Sequence, residues 1–246
     1  MIDAHIHLDG KSLHPQVLPE ADRLGIKKLI CSSIANYIHY PTYEQVKTAN
    51  EDLRQVIHEH PERIAGYCYV NPRHGEQALI DYRRRIESEE MIGLKLWVAT
   101  LCDDPLTFPF IEASIAYRVP ILIHAWDKTI GQLAYESTAT HVANLAERYP
   151  EAHIIMAHFA GKAETVDLIA PYKNVYTDTS GTPIGYGDTK IAVDCLGVER
   201  VIFGSDLSGA CLASNIGKVM GAGLSNDDFD LVMGGNMERL LQMKYQ

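Results

Sequence analysis

Side chains that can bind a metal ion or carry a proton follow the ends of apolar segments throughout this 246-residue sequence. His5 and His7 lie two residues apart in the first apolar segment, so on a β-strand both imidazoles project to the same face. Two neutral imidazoles at that separation can hold one divalent ion. Residues of related chemistry end later apolar segments: Lys95, His124, His158, Asp178 and Asp206. The pattern predicts a metal-dependent active centre assembled from distant parts of the chain.

Each of these residues also has an ordinary structural explanation when it is taken alone. A histidine after a buried strand is usually a structural residue, and Asp206 could cap the helix that follows it. A buried acid is costly, however, unless it is paired, capping or bound to a cation. The joint occurrence of histidines and an aspartate at the ends of the first, fifth, sixth and eighth segments favours the metal site. The remaining histidines are expected at the surface: His14, His39, His58, His60, His74, His141 and His153.

Eight apolar segments lack strict alternation and are predicted to be strands of a parallel sheet that is covered on both faces. They are residues 1–7, 28–34, 64–70, 93–98, 120–124, 152–158, 175–178 and 200–206. Amphipathic segments between them predict helices, among them residues 41–60, 75–90 and 140–149. Near the end of the chain, Ser225 is predicted to cap a further helix that begins with acidic residues.

The regular alternation of strands and helices predicts the fold. Dividing the chain by its eight strands gives roughly 31 residues per strand–helix unit, which is the size of such an element. We predict one α/β domain over residues 1–246, a single (β/α)8 TIM barrel in which the metal site lies at the C-terminal ends of the strands. A doubly wound open sheet is the alternative, but the glycine-rich phosphate loop that usually follows its first strand is absent from this sequence.

Composition narrows the classes of partner. Lys and Arg total 22 against 32 for Asp and Glu, a formal charge of −10. That charge disfavours nucleic acids and anionic membranes, so we expect a small-molecule substrate, no nucleic-acid partner and no membrane partner. The sequence has no apolar run of about 18 residues and no signal-peptide pattern. Its five scattered cysteines form no Cys-x-x-Cys pair, which predicts a cytoplasmic protein; a homodimer stays open.

The ordered set of histidines and aspartate resembles the amidohydrolase superfamily of metal-dependent barrels. It is most similar to the amidohydrolase-related branch that includes aminocarboxymuconate-semialdehyde decarboxylase and dicarboxylic lactone hydrolases. The segments that carry the resemblance are IDAHIH (2–7), GLKL (93–96), IH (123–124), MAHFAG (156–161), FGSD (203–206) and the closing GNMERLL (235–241). Together they span nearly the whole chain.

The resemblance implies a metal site and roles for its residues. One divalent ion, commonly Zn²⁺, would be held by four ligands: His5, His7, His124 and Asp206. His158 would then be an unligated acid/base, and Asp206 would also accept the proton of the metal-activated water. Binuclear members of the superfamily carry a carboxylated lysine on the fourth strand. Lys95 lies in that region, so two metals, with His158 as a ligand of the second, remain an alternative.

The function that follows is hydrolysis of an ester, lactone or amide bond in a small organic molecule by metal-activated water. Non-oxidative decarboxylation of a small carboxylic acid on the same site is one alternative. A catalytically silent metal-binding barrel is another. Trp97, Arg73 and Trp126 are candidate substrate-binding residues. The substrate stays open, because Leu207 and Ser208 replace the proline that often follows the last aspartate in the branch and Trp97 stands where many relatives have His-Pro.

Overall fold

Eight strands alternate with helices in the computed structural model, which describes residues 1–88, 90–182 and 184–243. The strands are β1 (Ile2–His7), β2 (Lys28–Ser32), β3 (Ile64–Val70), β4 (Gly93–Leu96), β5 (Ile121–Ile123), β6 (Ile154–Met156), β7 (Val175–Asp178) and β8 (Val201–Ile202). The α-helices are α1 (Val17–Arg23), α2 (Tyr43–Glu59), α3 (Gly75–Glu87), α4 (Phe108–Tyr117), α5 (Ala139–Arg148), α6 (Asp188–Leu196), α7 (Leu212–Met220), α8 (Asn226–Asp230) and α9 (Asn236–Gln242). Short 3₁₀ turns and one π-helical turn, Leu231–Gly235, connect them.

The strands form a parallel barrel in chain order. Each strand pairs with the next from β1 to β8. The first strand also meets the end of the sheet, because Ala4 N donates to Phe203 O at 3.0 Å and Asp206 N donates to His5 O at 2.8 Å. These bonds distinguish a barrel from an open doubly wound sheet. The predicted (β/α)8 TIM barrel is therefore confirmed.

The largest differences from the predicted boundaries lie at the mouth of the barrel. The sixth strand ends at Met156, two residues before His158, because the backbone then turns into the left-handed region. The eighth strand contains only two residues, and Asp206 follows it with a φ of 61°. The predicted strands include these positions because the apolar sequence continues past the residue at which the backbone bends. Nothing in the sequence marks that bend.

The predicted helices form, with small shifts at their ends. Thr42 caps α2 in a capping box with Gln45, which fixes the start of that helix. Ser225 accepts a hydrogen bond from Asp228 N and caps α8 as predicted. α3 ends at Glu87, and residue 89 of its predicted range lies outside the described residues, as do residues 183 and 244–246 of the predicted domain. In the described ranges no helix combines the length and apolarity needed to cross a membrane.

Apolar side chains fill the barrel from its base. One buried cluster lies inside the strands and is closed from below by two residues of α9: Ile2, Ala4, Ile30, Tyr67, Leu122, Ile155, Ala157, Tyr176, Ile202, Met237 and Leu240. A larger cluster packs the outer faces of the strands against the helices. Burial on both faces explains why the strands read as continuous apolar segments in the sequence.

An irregularity in β1 changes which of its residues face the interior of the barrel. The pairing of β1 with β2 shifts between Asp3 and Ile6, which marks a β-bulge. Ile2 and Ala4 pack in the interior cluster, whereas His5 and His7 contact side chains of other strands across the mouth, so the inward-facing positions change from even to odd residues across this stretch. A bulge changes which residues face inwards, and bulges are common beside active sites.

Candidate metal centre and active site

Three predicted ligands from opposite ends of the chain meet at the mouth of the barrel. His5 and His7 come from β1, and Asp206 follows β8. Their ligating atoms lie close together: His5 Nε2 is 3.2 Å from His7 Nε2 and 3.8 Å from Asp206 Oδ1, and His7 Nε2 is 3.1 Å from the same oxygen. All three side chains are buried or nearly so. The backbone bond from Asp206 N to His5 O holds the two segments together.

The spacing of these donor atoms fits a divalent cation. Ligands bound at about 2.1 Å around a tetrahedral or octahedral ion lie roughly 3.0–3.4 Å from one another. Two of the three separations fall at that spacing and the third is slightly longer. Two imidazoles and a carboxylate form a mixed set of nitrogen and oxygen donors, which suits zinc or manganese. His5, His7 and Asp206 are therefore residues that could hold a divalent cation.

Asp178, at the end of β7, orients His5. Its Oδ2 lies 2.8 Å from His5 Nδ1, so that nitrogen carries the proton and Nε2 keeps its lone pair towards the cluster. Burial, followed by the charge on Lys95, lowers the pKa of His5 to about 4. Burial alone would raise the pKa of Asp178, but His5 and the other neighbours hold it well below its usual range. A neutral imidazole beside an ionised carboxylate is the state that binds a metal.

His7 and Asp206 are held by neighbouring backbone and side chains. His7 Nδ1 lies 3.0 Å from Ser32 Oγ on β2, which leaves Nε2 facing Asp206. Asp206 has the left-handed backbone that L-residues rarely adopt, a conformation that is often retained at functional sites. Burial alone would raise the pKa of Asp206, but His158, His7 and His5 together hold it far below its usual range.

His158 faces the same centre from the turn that follows β6. Its ring centroid lies 5.0 Å from that of His5. Its backbone is left-handed, with a φ of 62°, and its amide donates to Asp178 Oδ1 at 2.8 Å. The side-chain Nδ1 lies 2.8 Å from Ser180 Oγ. Burial lowers the pKa of His158 to about 3, so its imidazole is uncharged at neutral pH.

His124 reaches the mouth but contacts a different partner. Its Nε2 lies 2.9 Å from Glu136 Oε1, and Lys128 Nζ binds both oxygens of that carboxylate at 2.8 and 2.7 Å. Among the described residues, the compact group of potential ligands around Asp206 consists of His5, His7 and Asp206. The role of His124 as a fourth ligand therefore stays a prediction.

Lys95 lies deeper in the barrel, on β4. Its ammonium nitrogen is 3.0 Å from His5 Nε2, the same nitrogen that faces the metal position. The side chain is fully buried, and burial lowers its pKa to about 8, although Asp206 and Asp178 oppose that shift. The amine thus lies directly beside His5. Its carboxylation and a second metal stay predictions.

A cavity of about 430 Å³ opens above the histidines. Trp97 and Trp126 line it, whereas Arg73 is not among its described lining residues and instead donates to Ala99 O at 2.7 Å. The lining combines the site with aromatic and charged residues of the loops: His7, Ile34, Tyr37, His39, Trp97, Val98, His124, Trp126, Lys128, Gly131, Leu133, Glu136, His158 and Asp206. A larger, mainly apolar cavity of about 630 Å³ adjoins the site beside His7, but the chemistry is concentrated in the smaller one.

Several site residues were not singled out from the sequence. Glu136 and Ser180 lie in loops where nothing in the local pattern marks them. His39 is exposed, as predicted, yet it lies at the mouth with its ring 5.6 Å from that of Trp97. The sequence places Asp178 at a strand end but predicts no role for it. Its signal was that a carboxylate ending an apolar strand needs a partner.

Comparison with known proteins identifies relatives of this barrel. A family model described as Amidohydrolase matches residues 2–243. Among solved structures, 2,6-dihydroxybenzoate decarboxylase from Rhizobium has a TM-score of 0.81 at 15% identity, over 98% of each chain. 5-Carboxyvanillate decarboxylase from Sphingomonas paucimobilis has a TM-score of 0.75 at 20% identity, over 94% of this chain and 83% of that chain. Dihydroxybenzoic acid decarboxylase from a Polaromonas species, with bound manganese and 2-nitroresorcinol, has a TM-score of 0.78 at 18% identity, over 94% and 86%. No curated protein matches the chain.

Proposed function

The chain belongs to the amidohydrolase family, and we propose on that premise that it is a metal-dependent, non-oxidative decarboxylase of an aromatic carboxylic acid. The observation that carries this proposal is one cavity in which two of the three clustered ligands, His7 and Asp206, meet His158 and aromatic walls. Relatives of the same fold that decarboxylate hydroxylated benzoic acids support it. The sequence alone favoured hydrolysis, and these relatives favour its alternative.

The metal would lie between His5, His7 and Asp206. A bound divalent cation supplies positive charge that neutralises the carboxylate of the substrate and polarises a neighbouring oxygen. His5 and His7 each offer Nε2 as a nitrogen donor, because the other nitrogen of each imidazole lies against Asp178 or Ser32. The donor set suits both manganese and zinc, so the choice between them belongs to experiment.

Two residues in the cavity can carry the proton that the reaction needs. Decarboxylation breaks the bond between the substrate carbon and its carboxyl group. The electron pair stays on that carbon, carbon dioxide leaves and a proton takes its place. Asp206 and His158 both line the cavity, and we assign the proton transfer to them. Because burial keeps His158 uncharged, it acts as a strong acid once it has accepted a proton.

Aromatic side chains give the cavity its substrate preference. The ring centroids of Trp97 and Trp126 lie 6.5 and 6.2 Å from the ring centroid of His124. Tyr37 lies 5.9 Å from Trp97 and continues the wall. Flat aromatic surfaces favour a planar aromatic substrate through stacking and edge contacts. A benzoic acid fits both this wall and the cation requirement of its carboxylate.

Hydrolysis of an ester or lactone is the second candidate. Asp206 favours it, because an ionised carboxylate that lines the cavity next to the metal position can accept the proton of an attacking water. The two reactions differ in their products. Decarboxylation releases carbon dioxide and hydrolysis releases an acid.

Metal exchange followed by parallel assays tests the proposal. The purified protein is stripped with a chelator, reloaded with Mn²⁺ or Zn²⁺, and offered hydroxylated benzoic acids beside esters and lactones. We expect carbon dioxide from at least one aromatic acid, only after reloading. Hydrolysis of an ester or lactone with no carbon dioxide from any acid would establish the second candidate instead.

A matched pair of histidine variants controls the assay. His5→Ala removes a ligand, whereas His58→Ala removes an exposed imidazole on α2. We expect His58→Ala to keep its metal and turnover and His5→Ala to lose both. Equal metal content in the two variants would contradict the site itself, and with it both candidate functions.

A further inference from the structure

We propose that Ser180 is a positioning residue, whose hydroxyl links Asp178 to His158 and fixes the tautomer in which His158 presents an unprotonated Nε2 to the reaction. Ser180 follows β7 by two residues and is fully buried. Its catalytic meaning rests on the proposed function, but the tautomer can be measured without any substrate.

One oxygen contacts three groups of the site. Ser180 Oγ lies 2.5 Å from Asp178 Oδ1, 2.8 Å from His158 Nδ1 and 3.0 Å from His5 Nδ1. The same Asp178 oxygen also accepts the backbone amides of His158 and Ser180, at 2.8 and 3.1 Å. Asp178 and Ser180 therefore hold His158 by its backbone and by its ring at once.

Counting protons gives one consistent arrangement of these bonds. Asp178 Oδ1 already accepts two backbone amides, so it acts as an acceptor, and the single proton of the Ser180 hydroxyl goes to this oxygen, the nearest of the three partners. The oxygen of Ser180 is then left with lone pairs only. His158 must donate to it through an Nδ1–H group. The second nitrogen of the uncharged ring, Nε2, carries no proton.

His5 follows the same rule through a different bond. Its Nδ1 donates to Asp178 Oδ2 at 2.8 Å, the shorter of its two contacts on that side, and Ser180 is the longer one. Removal of the Ser180 hydroxyl therefore leaves His5 oriented but takes from His158 the acceptor that selects its tautomer. The two histidines should respond differently to the same substitution.

The backbone of Gly181 packs closely against the ring of His158. Gly181 has a φ of +86°, and a Cβ there would lie 2.8 Å from His158 Nδ1. The edge of the ring that carries Nδ1 is thus filled by the backbone of residue 181 and the hydroxyl of Ser180. A side chain at position 181 would displace His158, so only glycine lets the hydroxyl reach the ring.

Nitrogen NMR of the histidine side chains measures the proposal directly. In zinc-loaded protein labelled with ¹⁵N-histidine, long-range ¹⁵N–¹H spectra distinguish the Nδ1–H from the Nε2–H tautomer, and His158→Gln identifies the signals of that residue. We expect His158 in the Nδ1–H form in the wild type. In Ser180→Ala we expect a shift of its nitrogen resonances towards the Nε2–H form, with His5 unchanged.

Thr177→Val is the matched control. It also removes a buried β7 hydroxyl, which donates to Met156 O and contacts neither histidine. The proposal requires the spectrum of His158 to move in Ser180→Ala and to stay in Thr177→Val. An unchanged Nδ1–H tautomer in Ser180→Ala, or an equal movement in both variants, would overturn it.

Metal affinity and kinetics separate this role from the proposed function. We expect Ser180→Ala to bind zinc within about threefold of the wild type, because Asp178 still orients His5, and to lose about 10- to 100-fold in kcat with little change in KM. If no carboxylic acid is turned over, the proposed function fails while the NMR result still decides the role of Ser180. If acids are turned over but the tautomer is unaffected, only the role of Ser180 fails.

Discussion

The base and the mouth of the barrel are built from the same eight strands but bury opposite kinds of side chain. At the base, Ile155, Tyr67 and Leu122 meet inside the sheet and α9 closes the end with Met237 and Leu240. These side chains gain free energy by leaving water. At the mouth the strands end in imidazoles, carboxylates and an ammonium group that lose hydration on burial.

The two regions also differ in backbone conformation. The base consists of regular strands, whereas His158 and Asp206 at the mouth are both left-handed. Such conformations cost of order 1–3 kcal/mol each and persist where the surrounding structure holds them. The base therefore stabilises the fold, and part of that stability offsets the strain of a preorganised site at the mouth.

Loss of a ligand should produce the largest effect, and it should be confined to the mouth. His7→Ala removes one of three clustered donors. We expect it to lose stoichiometric metal and at least about 1,000-fold in kcat/KM, which corresponds to about 4 kcal/mol of transition-state stabilisation. The free energy of unfolding of the metal-free protein, measured in urea, should change by less than about 1 kcal/mol, because the imidazole that is removed is a polar group that loses hydration on burial. A large loss of stability with normal turnover would contradict this division of roles between the base and the mouth.

A cavity at the base should have the opposite signature. Ile155→Ala removes three carbons from a fully buried side chain inside the barrel. We expect the free energy of unfolding to fall by about 3 kcal/mol, since the apolar contacts are lost and a cavity is left. Metal content and turnover per folded molecule should stay within about twofold of the wild type. Unchanged urea unfolding would mean that the interior cluster does not stabilise the fold.

Acid should lower the free energy of unfolding through the titratable groups of the mouth, whereas the apolar base should contribute no dependence on pH. Burial lowers the pKa of His5 to about 4 and of His158 to about 3, against about 6.5 in the unfolded chain. Between pH 6.5 and 4 the unfolded chain therefore binds more protons, and the free energy of unfolding falls as pH falls. Asp3 changes the free energy of unfolding in the opposite direction and offsets one histidine. Burial raises the pKa of Asp3 to about 7, so the folded chain keeps the proton of this carboxyl group up to that pH.

The net change is measurable in metal-free protein. Two histidines against one aspartate leave a loss of about 1.5 kcal/mol between pH 7 and pH 5, and His124, whose pKa burial also lowers, adds in the same direction. Urea unfolding at both pH values checks this. The destabilisation caused by Ile155→Ala should be equal at the two values, and a pH-dependent difference would contradict the separation of the two regions.

The smallest expected effect lies at the end of the chain that closes the base. Ser225 caps α8 by accepting a hydrogen bond from Asp228 N. Ser225→Ala should lower the free energy of unfolding by about 1 kcal/mol, and Ser225→Asp should restore it. Metal binding should not respond to either change. Weaker metal binding in Ser225→Ala would show that the base and the mouth are coupled.

Much of this organisation could be predicted because it is periodic or local. The eight strands, the cap at Ser225 and the spacing of His5 and His7 all depend on neighbours in sequence. Glu136 and Ser180 could not be found in this way, since loop residues follow no period. The position of Lys95 against His5 Nε2 was equally hidden, because residues 90 positions apart meet only when the barrel closes.

The sequence by itself determined the alternation of strands and helices, the family and the types of residue at the strand ends, because each follows from local burial and chain order. Only the tertiary structure decided which of those residues touch. His124 bonds to Glu136, Asp178 orients His5, and Ser180 joins Asp178 to His158. The physical reason is that hydrogen bonds act over about 3 Å. Such distances between remote residues are set by the bulge, the left-handed turns and the closure of the barrel rather than by any stretch of sequence.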